Sequence, residues 1–198
     1  MILNLRRSLV FTIVAIALTF AYAYLGTGIA QLGFKHQADG SVTASGSTLI
    51  GQNWTSPRWF HGRPDDAGPY AADPKKDIAG GDNPLEANGV PGESGASNLG
   101  PRSSVLLDNT RELVQYWHRL GVNPTPDLVT TSGSGYDPDI APQDAIVQIP
   151  MVARATGVSA VTLRRLIAKE THGEQWGFLG SSYIVVLQLN QGLAKLVH

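Results

Sequence analysis

The chain has 198 residues, with 15 Lys+Arg against 16 Asp+Glu, a formal net charge of −1. That balance excludes bulk-charge attraction to nucleic acid and argues against an acidic disordered tail. No cysteine is present, which excludes disulfide scaffolds, thiolate zinc sites, iron–sulfur clusters and cysteine nucleophiles. With 22 glycines and 12 prolines, much of the chain must be turns and loops. Charged residues are only 16%, so part of the chain is expected to lie outside water.

Arg6 and Arg7 precede a run without charge that extends from Ser8 through Phe34. About 20 helical residues cross a bilayer core, so residues 8–33 are long enough to span one. The two arginines place residues 1–7 on the cytoplasmic side and residues 34–198 outside. Ala21-Tyr22-Ala23 has the A-x-A form of a signal-peptide cleavage site. Apolar residues continue past it through Leu25, Ile29 and Leu32, which favours an uncleaved anchor. Ala15, Thr19, Ala23 and Thr27 recur every four residues on the helix face that also carries Phe11. Small residues in such a row let a second helix approach closely.

The expected fold class beyond the anchor is α+β, a single mixed domain with one loose insert. Residues 65–93 carry Lys75 and Lys76 against five aspartates and two glutamates, and nine of them are Gly or Pro. Such a stretch buries too little surface to offset its ordering entropy and reads as a long acidic surface loop. Ser47–Gln52 and Trp59–His61 alternate as short strands. Ser103–Leu120 has helical periodicity, with Leu106, Leu113, Val114, Trp117 and Leu120 on one face. Ser103 or Ser104 can cap its start, and Gly121 ends it. Leu128–Thr131 reads as a strand. Pro142 opens a helix to about Thr156, kinked at Pro150. Ser159 begins another helix through Glu170, Tyr183–Leu187 reads as a buried strand, and a short helix near Leu189–Val197 closes the chain.

Candidate chemistry is sparse. Ser132-Gly133-Ser134-Gly135 could cradle an anion with its backbone N–H groups. It lacks the following Lys-Ser/Thr of a P-loop and the first glycine of a nucleophile elbow. Asp137 and Asp139 flank Pro138 without the further oxygen ligands of a calcium loop. Asp139 is better placed to favour the helix start near Pro142. The five histidines show no metal-ligand spacing. His61 beside Arg63 could meet an anion, although a packed loop is the plainer reading. Two readings stay open on these residues. One is a membrane-anchored binding module for a small anion, and the other is a serine hydrolase using Ser134, His61 and Asp137.

Four motifs carry a family resemblance. Gly46–Gln52 resembles the G-S-x-L-I-G-Q of the C subunit of the Kdp potassium-transporting ATPase, and Trp59–Pro64 resembles its Y/W-F-H-G-R-P. Ser94–Pro101 is similar to its S-G-G-S-N-L-G-P, and Ser132–Ile140 to its S-G-S-G-L-D-P-x-I. Ala145 and Gln148 fall on its later A and Q, and Asn190 on the last N of V-N-V-x-x-L-N. The chain departs in its long 65–93 segment, in Tyr136 for leucine, in Ala141 for a capping Ser or Thr, and in Val185 for asparagine.

The resemblance implies an accessory subunit of a bacterial inner-membrane potassium pump with K+ as the transported ion. Its partners would be a channel-like A subunit with the selectivity filter and a P-type B subunit that hydrolyses ATP. The subunit would have no cofactor of its own, with ATP and Mg held by the B subunit. Its implied roles are assembly and service as a catalytic chaperone that raises ATP affinity. The residues marked for partner or nucleotide contact would be Gln52, His61, Arg63, Asn98, Ser132, Gly133, Ser134, Gly135, Asp137, Gln148 and Asn190. An outer domain cannot touch cytoplasmic ATP, so that effect would have to pass through the membrane subunits as a coupling free energy.

Overall fold

The computed structural model describes residues 2–43, 46–52, 54, 56–64, 96–135 and 137–197. The acidic insert expected over 65–93 lies outside the described residues, as does Tyr136. The chain divides into two units, residues 1–42 and 43–198.

The first unit is dominated by α1 (Ile2–Gly33), followed by the short α2 (Lys35–Ala38). Residues Asn4–Gly33 of α1 are long and apolar enough to cross a membrane. A helix satisfies its own backbone, which is what a lipid-exposed segment requires. The Thr19 hydroxyl donates to the Ala15 carbonyl at 2.9 Å, so its proton is used within the helix. Its small size, rather than a free donor, is what it would offer a neighbouring helix. Lys35 and Gln31 both donate to the Asp39 carboxylate at 3.0 Å, where α2 ends.

The second unit is mainly helical, with strands of only two residues each. β1 (Val42–Thr43) begins on the last residue of the first unit, and β2 (Gly46–Ser47) is the first element wholly within the second. α3 (Ser104–Arg119) is capped by the Ser103 hydroxyl, which accepts from Leu106 N–H, and ends as Gly121 turns left-handed at φ +72°. It buries Leu113 and Trp117. The Trp117 indole donates to the Leu128 carbonyl at 2.9 Å. The strand expected at Leu128–Thr131 is instead a 3-10 turn, Pro126–Val129. Pro126 starts that turn, and Leu128 and Val129 are driven into the core together.

α4 (Pro142–Thr156) runs on past Pro150, which lies on its exposed face, and stops at Gly157, φ +77°. The hydroxyl cap missing at Ala141 is replaced from within the helix. The Asp144 carboxylate accepts from the Ala141 N–H at 2.8 Å and is held by the Thr125 hydroxyl. The role expected of Asp139 therefore falls to Asp144, an acid in the third helical position. Asp139 sits instead in β3 (Asp139–Ile140), antiparallel to β4 (Ile184–Val185), with Asp139 opposite Val185. α5 (Ala160–Glu170) is capped by Ser159, and α6 (Val186–Ala194) follows β4 without a break. The strand expected over Tyr183–Leu187 is cut short because helical winding starts at Val186. Phe60, Trp117, Leu128, Leu163, Ile184, Leu189 and Leu193 form the most deeply buried part of the core.

Candidate functional site

The segment Trp59–His61, expected as a strand, pairs with no strand among the described residues. Its backbone is held by two buried side-chain amides. Asn190 on α6 accepts from Phe60 N–H at 2.9 Å and donates to the Phe60 carbonyl at 2.8 Å. Gln148 on α4 accepts from His61 N–H at 2.8 Å and donates to the His61 carbonyl at 3.0 Å. The same Gln148 amide also donates to the Asp144 carbonyl at 3.1 Å. Each amide therefore does the work of a strand neighbour, supplying one donor and one acceptor to a buried peptide.

The two clamps set the side chains on either side of them. Phe60 is fully buried, and the His61 ring packs 5.4 Å from Trp117. His61 Nε2 lies 3.1 Å from the Ser56 carbonyl and donates to it, while Nδ1 is buried without a hydrogen-bond partner. Burial lowers the His61 pKa, with the Ser56 bond opposing it, so the ring is held neutral. Neither nitrogen is placed as a base for Ser134.

Two residues on, Arg63 is held by the stretch that runs from the 3-10 turn through the glycine turn, residues 127–137. Its guanidinium donates to the Thr131 carbonyl at 3.1 Å and the Thr130 carbonyl at 3.4 Å. It also lies 3.5 Å from the Asp137 carboxylate and 3.9 Å from that of Asp127. Arg63, Asp127, Asp137, Asp139 and Tyr183 line one small cavity of about 160 Å³. Burial, and then the Asp137 charge, push the Asp139 carboxyl up to about 6, with His172 opposing. Two carboxylates paired to the guanidinium, with that of Asp139 lining the same cavity, repel a second anion, which counts against the small-anion module. Among the described residues no group of three or more acidic, His or Cys side chains is placed to hold a metal ion.

The glycine turn next to this cluster is self-contained. Ser132 is buried, and its hydroxyl accepts from Gly135 N–H at 3.0 Å. Gly135 has φ +72°, which a side chain disfavours. Gly133 does not share the need, because a Cβ there would meet nothing within 4 Å. Asp137 closes the turn by accepting from Asp139 N–H at 3.1 Å. The hydrolase reading is not assembled, since Asp137 faces Arg63 and His61 faces Ser56.

The remaining motif residues lie apart. Gln52 donates to the Ser47 carbonyl at 2.9 Å and lies against Gly46, where any Cβ would run into the Gln52 side chain. Asn98 is exposed, left-handed at φ +54°, and bonds only locally to the Ala96 carbonyl at 2.9 Å. His61, Arg63, Asp137, Gln148 and Asn190 are thus joined through the Trp59–Arg63 segment, whereas Ser132, Gln52 and Asn98 hold their own loops. Sequence reasoning missed Thr125, Asp127, Asp144 and Tyr183. Only Asp144 carried a local signal, an acid two residues into a helix opened by proline.

A helix long and apolar enough to cross a bilayer, followed by one small mixed domain, fits the build of a membrane-anchored subunit. Residues 5–195 match the family described as K+-transporting ATPase, c chain. The chain is 40% identical over 205 residues to the potassium-transporting ATPase KdpC subunit of Sorangium cellulosum, covering 98% of both. It is 37% identical to that of Koribacter versatilis, over 96% of this chain and 93% of the relative. It is 39% identical to that of Methylobacterium nodulans, over 99% and 98%. The chain belongs to the KdpC family.

Proposed function

We propose that the chain is the single-span accessory subunit of an ATP-driven potassium uptake complex. Its anchor would pack through Ala15, Thr19, Ala23 and Thr27 against the membrane helices of a channel-like subunit and a P-type ATPase subunit. Its domain would lie outside the cytoplasm, with Arg6 and Arg7 inside. The observation that carries this reading is that the motif residues Gln148 and Asn190 spend their polar groups on the chain's own backbone. Residues used that way shape a rigid body for assembly. ATP and Mg then belong to the ATPase subunit, and a higher ATP affinity would be a coupling free energy passed through the membrane subunits.

The test is recovery of the tagged full chain from native membranes, with its companions identified by mass spectrometry. Both membrane subunits are expected. The KM for ATP of the complex should rise when this chain is omitted. A chain recovered alone, or an unchanged KM, would remove the assembly role or the ATP role respectively. The sequence has no cysteine. A single cysteine at Ser181, labelled in intact cells by an impermeant maleimide, therefore reads the orientation without background.

A further inference from the structure

α5 and α6 enclose a groove of about 480 Å³, the size of a small-molecule site. The helices approach closely at Gly192, where a Cβ would fall 2.7 Å from Leu166 Cδ1 and 3.7 Å from Glu170 Oε1. Arg165, Leu166 and Lys169 line the groove from α5, and Gln191 and Lys195 line it from α6 and its end. Three of these five side chains are cationic. Lys169 is engaged by the Glu170 carboxylate at 3.4 Å. Arg165 and Lys195 have no carboxylate partner among the described residues. Lys195 lies where a cation suits the end of α6, but Arg165 sits in the middle of α5 and gains nothing from the helix dipole. Two unpaired cations facing one concave, partly apolar cavity make a place for an anion.

We propose that the α5–α6 groove binds a singly charged glycerol phosphodiester through Arg165 and Lys195. A guanidinium takes two phosphate oxygens at once, and the lysine adds a point charge. The Gln191 amide can both donate to and accept from glycerol hydroxyls, and Leu166 offers an apolar surface to the carbon arms. Glu170 decides the charge of the ligand. Its carboxylate stands at the contact between the helices and repels further negative charge, which selects a diester over a polyphosphate. Such a diester occurs as a phospholipid headgroup or as a free glycerophosphodiester, and the groove reads the chemistry the two share.

Thermal unfolding of the full chain in a non-ionic detergent, titrated with glycerophosphoglycerol or with dihexanoylphosphatidylglycerol, tests the proposal. Sodium chloride at matched ionic strength and dihexanoylglycerol, which lacks the phosphate, are the controls. A saturable rise in Tm with at least one diester, beyond both controls, is expected. A rise with the lipid alone assigns a membrane headgroup, and a rise with glycerophosphoglycerol shows that the free diester suffices. Arg165→Gln and Lys195→Gln should each raise the half-saturating concentration about tenfold, the worth of one charge-assisted contact. Arg164→Gln removes the same charge from an exposed position of α5 outside the groove and should leave it unchanged. No saturable rise with either diester would overturn the site. So would unchanged affinity in both groove variants, or equal weakening by Arg164→Gln, which would reduce the effect to net charge.

Discussion

Gln148 grips His61 at both ends of its backbone, accepting from the N–H at 2.8 Å and donating to the carbonyl at 3.0 Å across 87 residues of sequence. Asn190 treats Phe60 the same way from α6, so adjacent peptides of one extended segment are tied to two different helices. Gln148→Ala would leave a buried N–H and carbonyl of His61 without partners. The expected cost is about 2–4 kcal/mol, from two orphaned groups at 1–3 kcal/mol each less local relaxation. Asn190→Ala should cost a similar amount. Thermal unfolding of the full chain in detergent measures both, and changes within the error of the wild type would show that the clamps carry no stability.

The acidic cavity predicts a pH dependence. Asp139 Oδ1 is buried without a hydrogen-bond partner, and Asp137, Asp127, Arg63, His172 and Tyr183 are the titratable groups around it. Its folded pKa is raised from 3.8 to about 6, so the folded state holds this proton more tightly than the unfolded chain. Its contribution to stability is full below about pH 4 and is lost as pH rises through 6. Asp144, also raised by burial, adds a term of the same sign. Asp139→Asn should therefore stabilise at pH 7 by about 1 kcal/mol, after discounting for partial solvent contact, and reduce the slope between pH 4 and 6. A slope identical to the wild type's would remove Asp139 as its source.

Helices were legible because their apolar spacing and their caps are local. Ser103, Pro142, Ser159 and Gly157 all mark boundaries where the chain turns into or out of a helix. Trp59–His61 was not, since its partners are side-chain amides from α4 and α6, which lie far along the chain and leave no local pattern. The alternating pattern there predicted a strand, and the segment forms none: Trp59 closes a turn onto the Ser56 carbonyl, and Phe60 and His61 are held by the amides. Leu128–Val129 has strand residues in a 3-10 turn because Pro126 fixes the winding and Trp117 claims the Leu128 carbonyl. Arg63 was read beside His61 as a candidate anion contact. Its actual neighbours, Asp127 and Asp137, come from loops over sixty residues later, a distance no local pattern spans.

The anchor makes a separate prediction. Ala15, Thr19 and Ala23 share one face of α1, and the Thr19 hydroxyl is already bonded within the helix. Close approach then depends on side-chain size, so Ala15→Leu or Ala23→Leu should reduce recovery of the complex in mild detergent. Leu18→Ala, on another face, should reduce it less. The mature protein should also keep residues 1–23 and resist a carbonate wash. Equal recovery for all three variants would discard the packing face, and a mature N-terminus at Tyr24 would discard the anchor.

The glycine turn separates a structural role from nucleotide binding. Gly135 is left-handed at φ +72°, and its N–H donates to the buried Ser132 hydroxyl. An alanine there must adopt a conformation that costs about 1 kcal/mol or more. Gly133 faces open space, and Gly133→Ala should be close to neutral. Neither variant should change any response to ATP, because the Gly135 N–H is spent on the Ser132 hydroxyl and the turn runs on into the carboxylates of Asp137 and Asp139. Melting curves of the full chain, with and without millimolar ATP, decide the matter. Lower stability in Gly135→Ala alone, with no shift by ATP in any variant, is the expected result. Saturable stabilisation of the wild type by ATP, lost in Gly135→Ala without a change in its own melting temperature, would make the turn a nucleotide site instead.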